Sequence, residues 1–88
     1  MYRLRWLESV TRDLLQATAT ANPDIRDRIF AAMSEVESLL ENDADFVGES
    51  RDKGRRLLIV PPLSVTYKID PKNRIVTVLQ ARVHSTTR

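Results

Sequence analysis

The feature that most restricts the fold of this chain is a double change in hydrophobic period. It opens with "MYRLRWL", where Tyr2, Leu4 and Trp6 alternate with Arg3 and Arg5. Alternation at every second residue marks a half-buried strand, with the two arginines on its exposed face. From Leu7 the period lengthens. Leu7, Val10, Leu14 and Ala17 recur at three and four residues, which predicts an amphipathic helix over residues 8–21. "ANPD" then restarts the helix. Asn22 is suited to accept a first-turn N–H, and Pro23 fits the first helical position because its missing N–H would have had no partner there. Ile25, Ile29, Ala32, Met33, Val36, Leu39 and Leu40 make one stripe, and Glu35, Glu37 and Glu41 the opposite face. The spacing predicts a second helix over residues 23–41, antiparallel to the first across a short connection.

After residue 54 everything reads as strand, and alternation returns in Val65, Tyr67 and Ile69 against Ser64, Thr66 and Lys68. "RRLLIV", "LSVTYKI" and "RIVTVLQARVH" read as three strands, separated by Pro61-Pro62 and by the turn "DPKN", where Asp and Asn bond their own backbone and Pro71 sets φ. The last turn is short and no crossover helix is available, so the three form an antiparallel meander. The preceding "ENDADFVGESRDKGRR" holds both glycines of the chain, Gly48 and Gly54, and reads as a loop. It lacks the spacing of a phosphate-binding P-loop. The expectation is a single α+β domain over residues 1–88: an N-terminal strand, an antiparallel helix hairpin and a three-stranded antiparallel meander, with the helices on one face of the sheet.

The formal charge of +2 conceals a segregation. Residues 7–50 hold three arginines against ten acids, whereas residues 51–88 hold nine Lys or Arg against Asp52 and Asp70. An acidic first half and a basic second half suggest a positive face able to meet phosphates or an acidic partner. The chain has no cysteine and one histidine. That excludes disulfides and thiolate sites, offers no cluster of metal ligands, calls for no cofactor, and suits a reducing, cytoplasmic setting. No apolar run at the start is long enough for a signal peptide or a membrane span.

The last strand bears the candidate chemistry. Taken as an unbroken alternation, Ile75, Thr77, Leu79, Ala81 and Val83 fall on one side and Val76, Val78, Gln80, Arg82 and His84 on the other. The first set is expected to pack under the helices. The second begins apolar and ends polar on the open face, with Arg82 and His84 about 7 Å apart. Histidine exchanges protons near neutral pH and arginine holds phosphates.

These segments together resemble the RelE/ParE toxins of bacterial type II toxin–antitoxin systems. "YRLRWLESVTRDL" is similar to that family's first strand and helix, "GRRLLIV" to the strand after the helix hairpin, and "VTYKIDPKNRIVTVLQARVH" to its third strand, acidic turn and fourth strand. The resemblance implies a toxin of a plasmid-stabilisation type, bound by a cognate antitoxin. Two activities occur in the family: RelE-like members are mRNA interferases that cleave messages in the ribosomal A site, and ParE-like members inhibit DNA gyrase without being nucleases. The nuclease reading implies His84 for proton transfer with Arg82 and Arg56 holding phosphate, and Lys53, Arg55, Arg88, Arg3 and Arg5 binding nucleic acid. The chain departs from the family pattern in its third strand, where Ser64 stands near the place of a frequent arginine, and a C-terminal tyrosine is missing. Three readings are therefore open: nuclease, gyrase inhibitor, or a degenerate member that only binds its antitoxin.

Overall fold

The expected order of elements is present in the structure, a computed structural model that describes residues 1–84. Strand β1 (Arg3–Trp6) leads into α1 (Glu8–Thr20) and α2 (Pro23–Asp43). A two-residue strand β2 (Glu49–Ser50), a single 3₁₀ turn (Asp52–Gly54), β3 (Arg55–Val60), β4 (Leu63–Asp70) and β5 (Ile75–Val83) follow. Asn22 caps α2 through its side-chain oxygen, which accepts the Ile25 N–H at 2.9 Å, so the break between the helices is set locally.

The sheet is larger than a three-stranded meander. Its order is β1-β5-β4-β3-β2. Strands β3, β4 and β5 are the antiparallel meander. β1 adds to its far edge, parallel to β5, with Arg3 opposite Ile75 and Trp6 opposite Val78. β2 forms inside the expected loop and pairs with the start of β3. β1 is fastened at its base: the Tyr2 hydroxyl donates to Asp45 at 2.6 Å, and the Arg74 guanidinium lies 4.4 Å from the centre of the Tyr2 ring.

Both helices cover one side of this sheet. Val10 and Leu14 of α1, and Ile29, Ala32, Val36 and Leu40 of α2, meet Leu58, Val60, Leu63, Val65, Tyr67, Val76 and Val78 in one core. The alternation of "LSVTYKI" explains its half of the contact: Leu63, Val65 and Tyr67 are buried while Lys68 is exposed. Each large aliphatic side chain removed from water in this way contributes about 1.5–3 kcal/mol.

The unbroken alternation expected for β5 is corrected. Val76 and Val78, assigned above to the open side, are fully buried under the helices. Gln80, Arg82 and His84 are nevertheless exposed. A β-bulge reconciles the two. Tyr67 pairs with Val78, but the preceding residue Thr66 pairs with Gln80, so Leu79 is an extra residue on β5. An inserted residue exchanges the faces of everything beyond it. Ile75 and Thr77 therefore share the open side with Gln80, Arg82 and His84, while Ala81 and Val83 join Val76 and Val78 against the core.

Candidate functional site

The open side of the sheet is built from alternate residues of four strands. β4 contributes Ser64, Thr66 and Lys68, and β5 contributes Gln80 and Arg82, with Ser64 opposite Arg82 and Thr66 opposite Gln80. β3 contributes Arg55 opposite Lys68, then Leu57 and Ile59. β1 contributes Arg3 and Arg5, which flank Ile75 and Thr77. His84 follows β5 directly. Its backbone N–H donates to the Pro62 carbonyl at 2.7 Å, and its Nε2 lies 2.8 Å from Ser64 Oγ.

Two hollows meet on this face. One of about 250 Å³ is lined by Leu57, Ser64, Thr66, Gln80, Arg82 and His84. The other, of about 700 Å³, is lined by Ser50, Arg51, Asp52, Arg55, Thr66 and Gln80. Thr66 and Gln80 form the ridge between them. The smaller hollow brings a proton-exchanging group, a hydroxyl and a guanidinium together. The larger adds two further guanidinium groups, of which Arg51 is paired with Glu49 at 3.0 Å. A phosphate backbone crossing the ridge would meet cations on both sides.

The expected site residues divide. Arg82 and His84 are brought together, and Arg55 borders the adjoining hollow. Lys53 is exposed in the turn before β3, in a left-handed conformation (φ 63°). Arg3 and Arg5 share the open side on the strand beyond β5. Arg88 lies outside the described residues.

The expectation that Arg56 joins the phosphate-holding group is corrected. Arg56 pairs across the strands with buried Tyr67 and so points to the helix side of the sheet. There its Nη2 donates to the carbonyls of Val47 at 2.9 Å and Gly48 at 3.3 Å, its Nη1 to Ser50 Oγ at 3.1 Å, and its Nε to Tyr67 Oη at 3.3 Å. The Tyr67 hydroxyl in turn lies within 2.8 Å of the Val47 carbonyl and 2.9 Å of the Ala44 carbonyl. Burial pushes the Tyr67 phenol above its ordinary value, and the Arg56 charge draws it partly back. Gly48 completes this knot. It has φ +76°, and a Cβ there would stand 2.8 Å from the Leu57 carbonyl oxygen and 3.0 Å from Tyr67 Oη. Arg56 is a clasp for the segment after α2, opposite in direction to Arg55.

Ser64, Thr66 and Lys68 were not among the expected site residues, although their alternation with Val65, Tyr67 and Ile69 already placed them on one face. A third hollow lies on the helix side. It measures about 530 Å³ and is mostly apolar, walled by Ala17, Ala21, Ile25, Ile29, Pro61, Pro62 and Val83, with His84 at its rim. His84 thus stands at the boundary between the apolar groove and the polar face.

The arrangement is thus two helices on one side of a five-stranded sheet, with Arg3, Arg5, Arg55, Lys68 and Arg82 on the open side. No protein-family model matches the chain, and no curated protein matches it. Among solved structures, a chain of the RelBE2 toxin–antitoxin complex of Mycobacterium tuberculosis superposes with a TM-score of 0.74 at 21% identity, over 94% of this chain and 98% of that one. A chain of the chromosomal ParDE system of P. aeruginosa also gives 0.74, at 18% identity over 97% and 98%. The isolated E. coli RelE toxin gives 0.61 at 11% identity over 100% and 89%. The fold is that of the RelE/ParE toxins.

Proposed function

We propose that this chain is the toxin of a type II toxin–antitoxin pair and that its open face cleaves messenger RNA on the ribosome. The observation that supports this reading most is the meeting of His84, Ser64 and Arg82 in one hollow. Cleavage requires a base to take the 2′-hydroxyl proton, attack of that oxygen on the adjacent phosphorus, and departure of the 5′ oxygen with a proton from solvent. The products are a 2′,3′-cyclic phosphate and a free 5′-hydroxyl. His84 is the base, Arg82 faces the charge that builds on the phosphorane, and Arg55 and Lys68 hold flanking phosphates.

The apolar groove between the helix hairpin and Pro61-Pro62 supports an antitoxin segment as the second partner. Two of the similar solved structures are toxin–antitoxin complexes by their own description, RelBE2 of Mycobacterium tuberculosis and RelBE of E. coli.

Reconstituted translation tests the reading. The native chain is expected to leave messages cut in the A site with cyclic phosphate ends. His84→Ala lowers the rate by about 10²–10⁴-fold, and Arg82→Ala by about 10²–10³-fold. Two observations favour a second reading. Arg56 is withdrawn from the open face, and the ParDE chain superposes as well as the RelBE2 chain. Intact messages together with blocked DNA supercoiling would favour a gyrase inhibitor. Neither effect would leave a chain that only binds an antitoxin.

A further inference from the structure

The contact between Ser64 and His84 has no counterpart in the expected site. Ser64 stands directly across from Arg82. A long cationic side chain there would occupy the hollow in which the imidazole now rests. Instead a short hydroxyl meets Nε2 at 2.8 Å. His84 is held at a second point by its backbone N–H, which donates to the carbonyl of buried Pro62 at 2.7 Å. One bond places the backbone of His84 and the other places its ring, although the residue is exposed. An exposed histidine without such bonds would sample several rotamers.

We infer that Ser64 is a positioning residue: its hydroxyl occupies Nε2 of His84 and thereby assigns proton exchange with the substrate to Nδ1. The two ring nitrogens of histidine are distinct, and the partner of one decides the role of the other. With Nε2–H donated to Ser64 Oγ, the lone pair on Nδ1 is the base, and the serine hydroxyl hydrogen is left to meet a phosphate oxygen. The activity arm of this inference rests on the messenger-cleavage reading; its chemical arm does not.

The chemical arm uses bromoacetate on the full chain. His84 is the only histidine, so a single product position is read by peptide mapping and NMR. The native chain is expected to be carboxymethylated at Nδ1. Ser64→Ala frees Nε2, and the Nε2 product then appears in at least equal amount. Ser64→Thr keeps the hydroxyl and restores the native pattern. An Nε2 product from the native chain, or an unchanged product ratio in Ser64→Ala, overturns the inference. In the activity arm, Ser64→Ala lowers kcat for message cleavage on the order of ten- to a hundredfold with KM unchanged, and Ser64→Thr recovers most of it. A native chain that alkylates at Nδ1 but cuts no message sinks the nuclease reading and leaves the positioning of His84 standing. A native chain that cuts messages but alkylates at Nε2 does the reverse.

Discussion

Arg55 and Arg56 are neighbours in sequence and belong to opposite sides of the sheet. Their separate roles predict separate phenotypes. Arg56→Ala removes the donors that satisfy the carbonyls of Val47 and Gly48, and should destabilise the fold by about 1–3 kcal/mol. Arg55→Ala, on the exposed side, should stay within about 0.5 kcal/mol of the native chain. Urea unfolding of the two variants distinguishes them; equal losses would mean that the clasp is not structural. The sequence could not separate the pair, because "RRLLIV" is apolar after both arginines and shows no alternation from which to take the side. His84 was legible because it follows a polar, alternating stretch. Its hydroxyl partner was not, since Ser64 lies 20 positions away and only strand register brings the two together.

The two tyrosines add a pH dependence at the same scale. Burial raises the Tyr67 phenol, and the hydrogen bond to Asp45, with burial, raises Tyr2, both above the ordinary value of 10.0. Above that value the unfolded chain gives up these protons while the folded chain retains them. Stability is therefore fully present below it and falls as pH rises further. Ultraviolet titration should show both phenols ionising late, and the melting temperature should drop across that range. Ionisation at the ordinary value would contradict the buried placement of Tyr67.

Among the elements, β5 departs most from a plain reading. Helix boundaries, the Asn22 cap and the three long strands follow from period and turn chemistry that act locally. The bulge does not, because no Gly or Pro marks it. The trace it leaves is a phase slip: Val76 and Val78 are spaced by two, Ala81 and Val83 by two, but Val78 and Ala81 by three. Deleting Leu79 would remove the slip. Val78 and Gln80 would then be consecutive, opposite Tyr67 and Thr66, so Gln80 and Arg82 stay on the open side and Ala81 and Val83 under the helices, and the loss should stay below about 2 kcal/mol. Leu79→Ala keeps the bulge and should cost a similar amount. Circular dichroism and urea unfolding of both variants read the two losses. A deletion that costs more than about 4 kcal/mol would show that the bulge itself is needed for the packing of β5.

Over the whole molecule, the charge asymmetry of the sequence becomes an asymmetry of faces. The acids of α1 and α2 lie with the helices, while Arg3, Arg5, Arg55, Lys68 and Arg82 share the other side. Binding of a short single-stranded RNA, followed by fluorescence anisotropy, should weaken with salt. At about −0.7 per phosphate contact, these five described cations would give a logarithmic slope of about −3.5 if each meets one phosphate. Binding indifferent to salt would mean that the face does not engage a phosphate backbone.

The parallel pairing of β1 with β5 joins residues 3–6 to residues 75–78, across nearly the whole described chain. Contacts so distant in sequence are late and slow to form. During synthesis the first strand must wait, unpartnered, until the strand bearing Arg82 and His84 has left the exit tunnel. A nascent chain interrupted before residue 75 lacks both the partner of its opening segment and His84. The polar hollow of the open face therefore cannot assemble until residues 57–84 have all emerged.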